Sequence, residues 1–385
     1  MGGRPNLPTH PAMRCPAFSR RLLPVLLAAV LACPARGAEA DRLGDLSVEQ
    51  LLDLKVTSVA RREEKLSQSP AAVFVITQED IRRSGATTIP DLLRLAPGLD
   101  VARVNAHAWA IGSRGFNDVF SNKLLVLIDG RSVYTPLFSG VYWDVQDVML
   151  EDLDRIEVIR GPGAALWGAN AVNGVINIIT KRAAETQGVL MTAGGGTEER
   201  AFTSFRFGGM LGTEAHYRVF GKVFGRDDSA ILGGTAAHDA WGMAHAGFRV
   251  DWTPGAEVFT LQGDLYRGFE DEIERRLRSR SPFAMYDEFA TARLAGGNAL
   301  ARWTHDTAGG GQVTVQSYYD RTERVSPHFS ESGIRSMWMC SIVSRAAGDT
   351  GWARIAREIP RMSRCIPRRG RRIFSMRSRR IRSRW

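Results

Sequence analysis

The stretch LEDLDRIEVIRGPGAALWGANAVNGVINIITK, residues 150–181, decides how the rest of the chain is read. From Arg155 to Ile159 charged and apolar residues alternate, the period of a half-buried strand. Gly161, Pro162 and Gly163 stop that strand sharply. Ala164 to Trp167 allows one short helical turn. Gly168 and Gly174 bracket a second bend, and Val175 to Thr180 is β-prone and almost wholly apolar, as a buried strand is. Local physics therefore gives a strand, a tight turn and a second strand, a unit that any α+β domain can hold. A dinucleotide fingerprint does not fit. It needs a third glycine at position 166, where Leu166 stands, and Pro162 sits where the turn should open a long helix.

Further motifs lie upstream in fixed order: AAVFVITQEDI (71–81), IPDLLRLAPG (89–98), SRGF (113–116) and LLVLIDG (124–130). With RIEVIRGP, the aromatic–Gly pair Trp167-Gly168 and NGVINIITK, this series resembles the plug domain of TonB-dependent outer-membrane receptors. Five ordered motifs are far more specific than any one of them. The likeness runs from about Leu46 to Lys181. It implies an α+β plug domain followed by an incomplete antiparallel transmembrane β-barrel, and a receptor that transports a scarce ligand.

Local signals place the elements of this first domain. Val73 to Ile76 reads as a buried strand. Thr77 with Asp80 three residues on starts a helix that Ser84-Gly85 ends. Thr88 and Pro90 start a second helix, stopped by Ala96-Pro97-Gly98. Leu99 to Val104, Ala110 to Arg114 and Leu124 to Ile128 are the next strands. Asp129-Gly130 is a turn leading into Ser132 to Tyr134. Two connections are long and aromatic. One holds Asn105, His107 and Trp109; the other holds Phe138, Tyr142 and Trp143. The resemblance makes these six residues the ligand-touching apex. Packing against a barrel wall is the other account of each aromatic, because large rings usually bury. A lone histidine such as His107 is more often hydrogen-bonded than a metal ligand.

Before the plug, residues 41–64 are polar, with one β-prone island, Lys55-Val56-Thr57-Ser58-Val59-Ala60. Leu46 to Leu54 has the pattern of a short helix capped by Ser47, with Gln50 three residues on. The island alone reads as an edge strand. Its place ahead of a plug makes it resemble a TonB box, a segment that adds as a strand to the energising partner TonB through backbone groups. Residues 1–40 read as a cleaved secretory leader: Arg14, Arg20 and Arg21, then the short apolar run Leu22 to Cys33, then Ala38-Glu39-Ala40. Met1 or Met13 is the start. Weaker likenesses are a lipoprotein box at Cys33 and a twin-arginine signal at Arg20-Arg21.

After Lys181 the texture changes. Segments of about ten residues alternate in character, among them 200–207, 216–224, 241–252, 257–266, 298–305 and 312–319. In Trp241 to Trp252 one face is Ala244, Ala246, Phe248, Val250 and Trp252; the other is Met243, His245, Arg249 and Asp251. Apolar outward and polar inward at this length is the signature of a transmembrane β-strand; a soluble β-sandwich is the alternative. Arg267 to Ser281 is charged and reads as a long extracellular loop. Residues 182–332 are thus expected to be the first part of the barrel.

The formal charge of +10 is uneven. Residues 333–385 hold fifteen Arg, no Lys and two acids, Asp349 and Glu358, a net +13, which leaves residues 1–332 at −3. The basic balance is a property of the tail, so nucleic-acid binding does not follow from it. No period-2 strand is read after Gly333, and an aberrant tail from a lost reading frame near Ser332 is expected. Such a product is expected not to insert by itself. All four cysteines lie in the leader or tail, so the body has no disulfide framework and no Cys metal site. No nucleophile setting, paired carboxylates or Gly-rich phosphate loop marks an enzyme. No cofactor or metal is expected. The expected partners are TonB, a small-molecule or metal-chelate ligand such as an iron–siderophore or cobalamin complex, and outer-membrane lipid in a Gram-negative cell. A soluble periplasmic plug-like binding protein is the alternative function.

Overall fold

The computed structural model describes residues 55–56, 64–65, 72–135, 138–161, 167, 170–231, 235–280, 283–307, 311–327, 330–343 and 352–365. The leader, the helix expected at Leu46 to Leu54 and most of the turn 162–169 lie outside them.

The first domain is built on a five-stranded sheet. Its strands are β3 (Ala72–Thr77), β6 (Leu124–Ile128), β7 (Arg131–Ser132), β8 (Leu153–Arg160) and β9 (Gly174–Thr180), in the order β3-β8-β9-β6-β7. Only β6 and β9 run parallel. Strand β6 is apolar along its length and β9 nearly so, Asn177 and Thr180 apart, because both faces are covered. Val126, Ile128, Ile156, Val158, Ile176 and Ile178 enter one core, and Leu125, Leu127, Ile159 and Val175 a smaller one behind it. The opening stretch therefore folds as two adjacent antiparallel strands, β8 and β9. Gly161 takes φ +118 at the break, and a Cβ on Gly174 would lie 2.4 Å from the carbonyl oxygen of Ile159. Both positions require glycine.

Helix α1 (Gln78–Ser84) starts at Thr77 with a full capping box to Asp80 and ends at Gly85 in the left-handed region. Helix α2 (Ile89–Leu93) is capped by Thr88 with Pro90 in its first turn. Strands β4 (Asp100–Arg103) and β5 (Trp109–Gly112) form a separate hairpin. The motif residues meet at one point. Ser113 Oγ donates to the carbonyl of Gly98 at 2.8 Å, and Asn173 Nδ2 donates to the carbonyl of Ser113 at 3.1 Å.

The second part is a meander of nine strands in sequence order, β10 to β18, each antiparallel to the next. They are β10 (Gly188–Gly194), β11 (Glu199–Leu211), β12 (Ala215–Arg226), β13 (Trp241–Trp252), β14 (Glu257–Arg280), β15 (Phe283–Asp306), β16 (Gln312–Val325), β17 (Ser330–Val343) and β18 (Trp352–Cys365). The alternation read in β13 holds: Met243, His245, Arg249 and Asp251 are buried, whereas Ala244, Ala246, Phe248 and Trp252 are exposed. The buried face lies against the plug, and Phe224, Trp241, Met243 and Leu294 join the plug's own core.

Two expectations need correction. Arg267 to Ser281 reads as a long extracellular loop, whereas residues 267–280 continue strand β14. Residues beyond Glu270 have no partner in β13, and residues before Arg293 none in β16, so 271–280 and 283–292 pair with each other as a two-stranded arm. Charged side chains do not interrupt a ladder made by backbone groups. The same reason applies at the chain end. The backbone of β17 and β18 continues the ladder past Gly333, where no strand was expected, because pairing does not require alternation.

Candidate functional site

The plug is held by the polar inner face of the sheet. Asp129 sits in the tight β6–β7 turn at φ +50. Its carboxylate accepts from Thr180 N and Thr180 Oγ1, each at 2.9 Å, and from Gln262 Nε2 at 2.8 Å. Arg249 Nη1 lies 3.9 Å away, and Arg302 donates to the Asp129 carbonyl. Gln316 Nε2 donates to the carbonyl of Gly130 at 3.1 Å. Strands β13 to β16 thus each give one polar side chain to a single plug turn. Nearby, Arg206 donates to Asp152, and Arg218 Nη1 donates to the carbonyl of Lys181 at 2.7 Å. Lys222 pairs with Asp147 at 2.7 Å and Arg131 with Asp320 at 2.5 Å.

The connections of the sheet distinguish its two ends. Those after β11, β13 and β15 are short, whereas 227–240 and the long arm lie at the other end. The loop 104–108 of the plug faces the long end. Ala106 N donates to Asp239 Oδ2 at 2.7 Å. Asn105 folds the loop itself, its Oδ1 accepting from His107 N at 3.0 Å and Ala108 N at 2.6 Å. His107 is buried, with Nδ1 3.1 Å from Glu270 Oε2 and Nε2 3.1 Å from the carbonyl of Asp271. Burial pushes its pKa down; the Asp144 carboxylate and the Asp271 carbonyl oppose that shift.

The six expected apex residues separate into two groups. Trp109 is only 2% exposed and meets Trp241 edge-on, centroids 6.0 Å apart; Trp143 is also in the core. Asn105 and His107 are tied into the loop. Phe138 and Tyr142 are half-buried and belong to a ladder of rings. Phe120 meets Phe138, and Phe138 meets Tyr142, each pair with centroids 5.1 Å apart and nearly perpendicular. Beyond Tyr142 the guanidinium of Arg324 lies 4.3 Å from the ring centroid and pairs with Asp144 at 2.5 Å and with Glu270. Sequence reasoning missed Phe116, the last residue of SRGF, and Phe120 on the loop after it as contact residues; they are 56% and 60% exposed. Their signal was two aromatics four residues apart in a turn-rich segment. Lys55 and Val56 pair with Lys65 and Glu64 in a short hairpin (β1, Lys55–Val56; β2, Glu64–Lys65), while Thr57, Ser58, Val59 and Ala60 lie outside the described residues. Among the described residues no group of three or more His, Cys, Asp or Glu is placed to hold a metal ion.

Comparison with known proteins agrees with this architecture. Residues 65–175 match the family model described as the TonB-dependent receptor plug domain. The vitamin B12 transporter BtuB of Vibrio cholerae serotype O1 is 34% identical over 164 residues, which is 43% of this chain and 26% of that protein. The ferric enterobactin receptor of Pseudomonas aeruginosa is 33% identical over 229 residues, 54% of this chain and 29% of that one. The chain thus spans little more than a quarter of these relatives' length. In fold, it resembles the pyoverdine outer membrane receptor FpvA of Pseudomonas aeruginosa, with a TM-score of 0.60 at 15% identity, covering 81% of this chain and 48% of that structure. The ferric-catecholate import receptor Fiu of E. coli gives 0.59 at 15% identity, covering 78% and 50%. Residues 65–175 thus match the plug domain of TonB-dependent receptors, and the antiparallel sheet after them shares the fold of the solved receptors.

Proposed function

We propose that this chain is the plug and first wall of an outer-membrane receptor that takes up a scarce ligand, an iron–siderophore or cobalamin complex, through TonB energised by the inner-membrane proton gradient. The observation that carries this is the two-faced sheet. Its inner face clasps the plug turn at Asp129, and its outer face exposes Val219, Phe248, Leu261 and Leu265 in a band that suits lipid. A soluble periplasmic binding protein would leave that apolar band in water, which disfavours the alternative.

In this reading the short connections face the periplasm and the arm faces outward. Ligand meets the plug at the end carrying Phe116, Phe120, Phe138 and Tyr142. TonB engages Lys55 to Ala60 by strand addition from the other side. The polar seam is suited to a plug that must shift, because hydrogen bonds and ion pairs re-form with water more readily than a dry core reopens. Relatives named for vitamin B12 and for ferric enterobactin support the ligand class.

The test is uptake of labelled ferric siderophore and of labelled cobalamin by cells that express the full-length receptor. Accumulation of one ligand in energised cells, abolished by an uncoupler and by removal of residues 55–60, is expected. Recovery of the protein in the soluble periplasmic fraction, with no energy-dependent uptake of either ligand, would sink the reading.

A further inference from the structure

On the face of the sheet turned away from the plug, β14 exposes Phe259, Leu261, Leu265 and Arg267 in period 2. On that face β15 exposes Arg293 and β16 exposes Arg321. Their chain neighbours fix the direction: Leu294 enters the plug's core, and Asp320 pairs with Arg131 of the plug. Arg267 stands opposite Ala295 and Arg293 opposite Phe269, so the two arginines are diagonal neighbours with backbones about 7–8 Å apart. Neither has an ion pair among the described residues. Across the strands Arg267 meets Ala244 and Ala295, and Arg293 meets Phe269 and Val325. The acids nearest by register are engaged: Asp271 accepts from Thr291 at 2.6 Å, and Glu323 pairs with Arg321 at 3.3 Å. Two like charges stand side by side without a counter-charge.

Their height on the wall selects the partner. Phe259 to Arg267 spans about 27 Å along the strand. At the tilt of about 40° that barrel strands take, this is roughly 20 Å of rise, against an apolar band about 25 Å tall. Both arginines therefore stand at the rim of the lipid-facing band, at the end that carries the arm. This placement rests on the receptor reading above, in which the arm faces outward. The outer leaflet there is lipopolysaccharide, whose lipid part holds phosphate groups above its acyl chains. A phosphate monoester carries about −1.5 to −2 charges at pH 7 and balances both arginines, whereas a phospholipid diester carries a single charge. Guanidinium groups also match phosphate oxygens in bidentate geometry. Below them Ala299 and Ala301, flanked by Leu261 and Tyr319, leave a shallow trough along which an acyl chain can lie. We propose that Arg267 and Arg293 form a binding site for a lipid phosphate of lipopolysaccharide on the outer wall.

The test uses the full-length receptor, purified in detergent and freed of lipid. It is titrated with lipopolysaccharide and with the same lipid after phosphatase treatment. Dephosphorylation should weaken binding about tenfold or more, the loss of a charge-assisted contact. The double variant Arg267→Gln, Arg293→Gln should lose as much toward the phosphorylated lipid while still inserting, as a heat-modifiable band shows. Should that variant fail to insert, the two lipid forms on wild type decide alone. Equal binding of both forms, unchanged binding in an inserted double variant, or tighter binding of cardiolipin overturns the proposal. A wild type that inserts and fails only these titrations leaves the uptake reading standing. Recovery of wild type in the soluble periplasmic fraction removes both.

Discussion

Gln262 Nε2 on β14 donates a 2.8 Å hydrogen bond to Asp129 Oδ2 in the plug, so one wall strand holds the turn on which the five-stranded sheet closes. The same carboxylate is the counter-charge for Arg249 and caps the end of β9 through Thr180. Asp129→Ala leaves Arg249 with Asp251 at 2.8 Å and removes the acceptor of Thr180 N, Thr180 Oγ1 and Gln262 Nε2. Leaving a buried donor without its acceptor costs about 1–3 kcal/mol. The plug of this variant should be released at lower denaturant concentration than the barrel, and proteolysis should cut it early. Asp129→Asn, which keeps the shape and one acceptor, should lose roughly half as much; an unchanged plug in both variants would mean that the turn is held by the backbone contacts of Arg302 and Gln316 alone.

Trp109 and Phe120 should respond in opposite ways. Trp109→Ala removes a ring from the core and should cost about 3–5 kcal/mol of stability. Its effect on ligand affinity should follow only from that loss. Phe120→Ala removes an exposed ring and should leave stability within about 0.5 kcal/mol. If the ladder to Phe138 and Tyr142 is a contact surface, ligand affinity should fall about five- to thirty-fold, the range of a truncated interface anchor. Equilibrium binding and thermal unfolding on the same two proteins separate these outcomes.

The contrast explains what the sequence could and could not disclose. The plug was legible because its signals are local. A capping box at Thr77, Pro90 in a first turn, and apolar runs at 124–128 and 174–180 each fix an element without help from the rest of the fold. The β13 faces were legible because a strand with one wet and one dry side alternates. The arm was not: Arg267 to Arg280 carries the composition of a loop, and only its register with 283–295 makes it a strand. Nor was the apex. Whether Trp109 touches ligand or Trp241 depends on a residue 132 positions away, and no local pattern records that contact.

The coupling segment gives a third prediction. Val56 lies in a short antiparallel pair with Glu64, and strand addition by TonB would use the same kind of backbone group. Val56→Pro removes one donor and fixes φ. Energy-dependent uptake should fall severalfold while ligand affinity stays unchanged. Val56→Thr, which keeps β-propensity, should transport normally. Equal uptake in the proline variant would remove Lys55 to Ala60 from the coupling role.

The last prediction concerns pH. His107 is enclosed by Glu270, Asp271, Asp144, Asp239 and Arg324. Its pKa is lowered from the ordinary 6.5, burial being the largest cause. The neutral ring donates through Nε2 to the Asp271 carbonyl, and Arg324 covers the charge of Glu270. Because the folded value lies below the unfolded one, the unfolded chain binds the proton more tightly. The contribution of His107 to stability is therefore complete above about pH 6.5 and is lost as the pH falls toward the folded value. Hydrogen exchange at the amides of Ala106 and Ala108 should speed up on acidification through that window, beyond the change that the intrinsic exchange rate accounts for. His107→Gln keeps a donor for the Asp271 carbonyl and does not titrate, so its protection should be flat over the same range. If wild type and His107→Gln lose protection in parallel, the acid sensitivity belongs to the surrounding carboxylates and not to the imidazole.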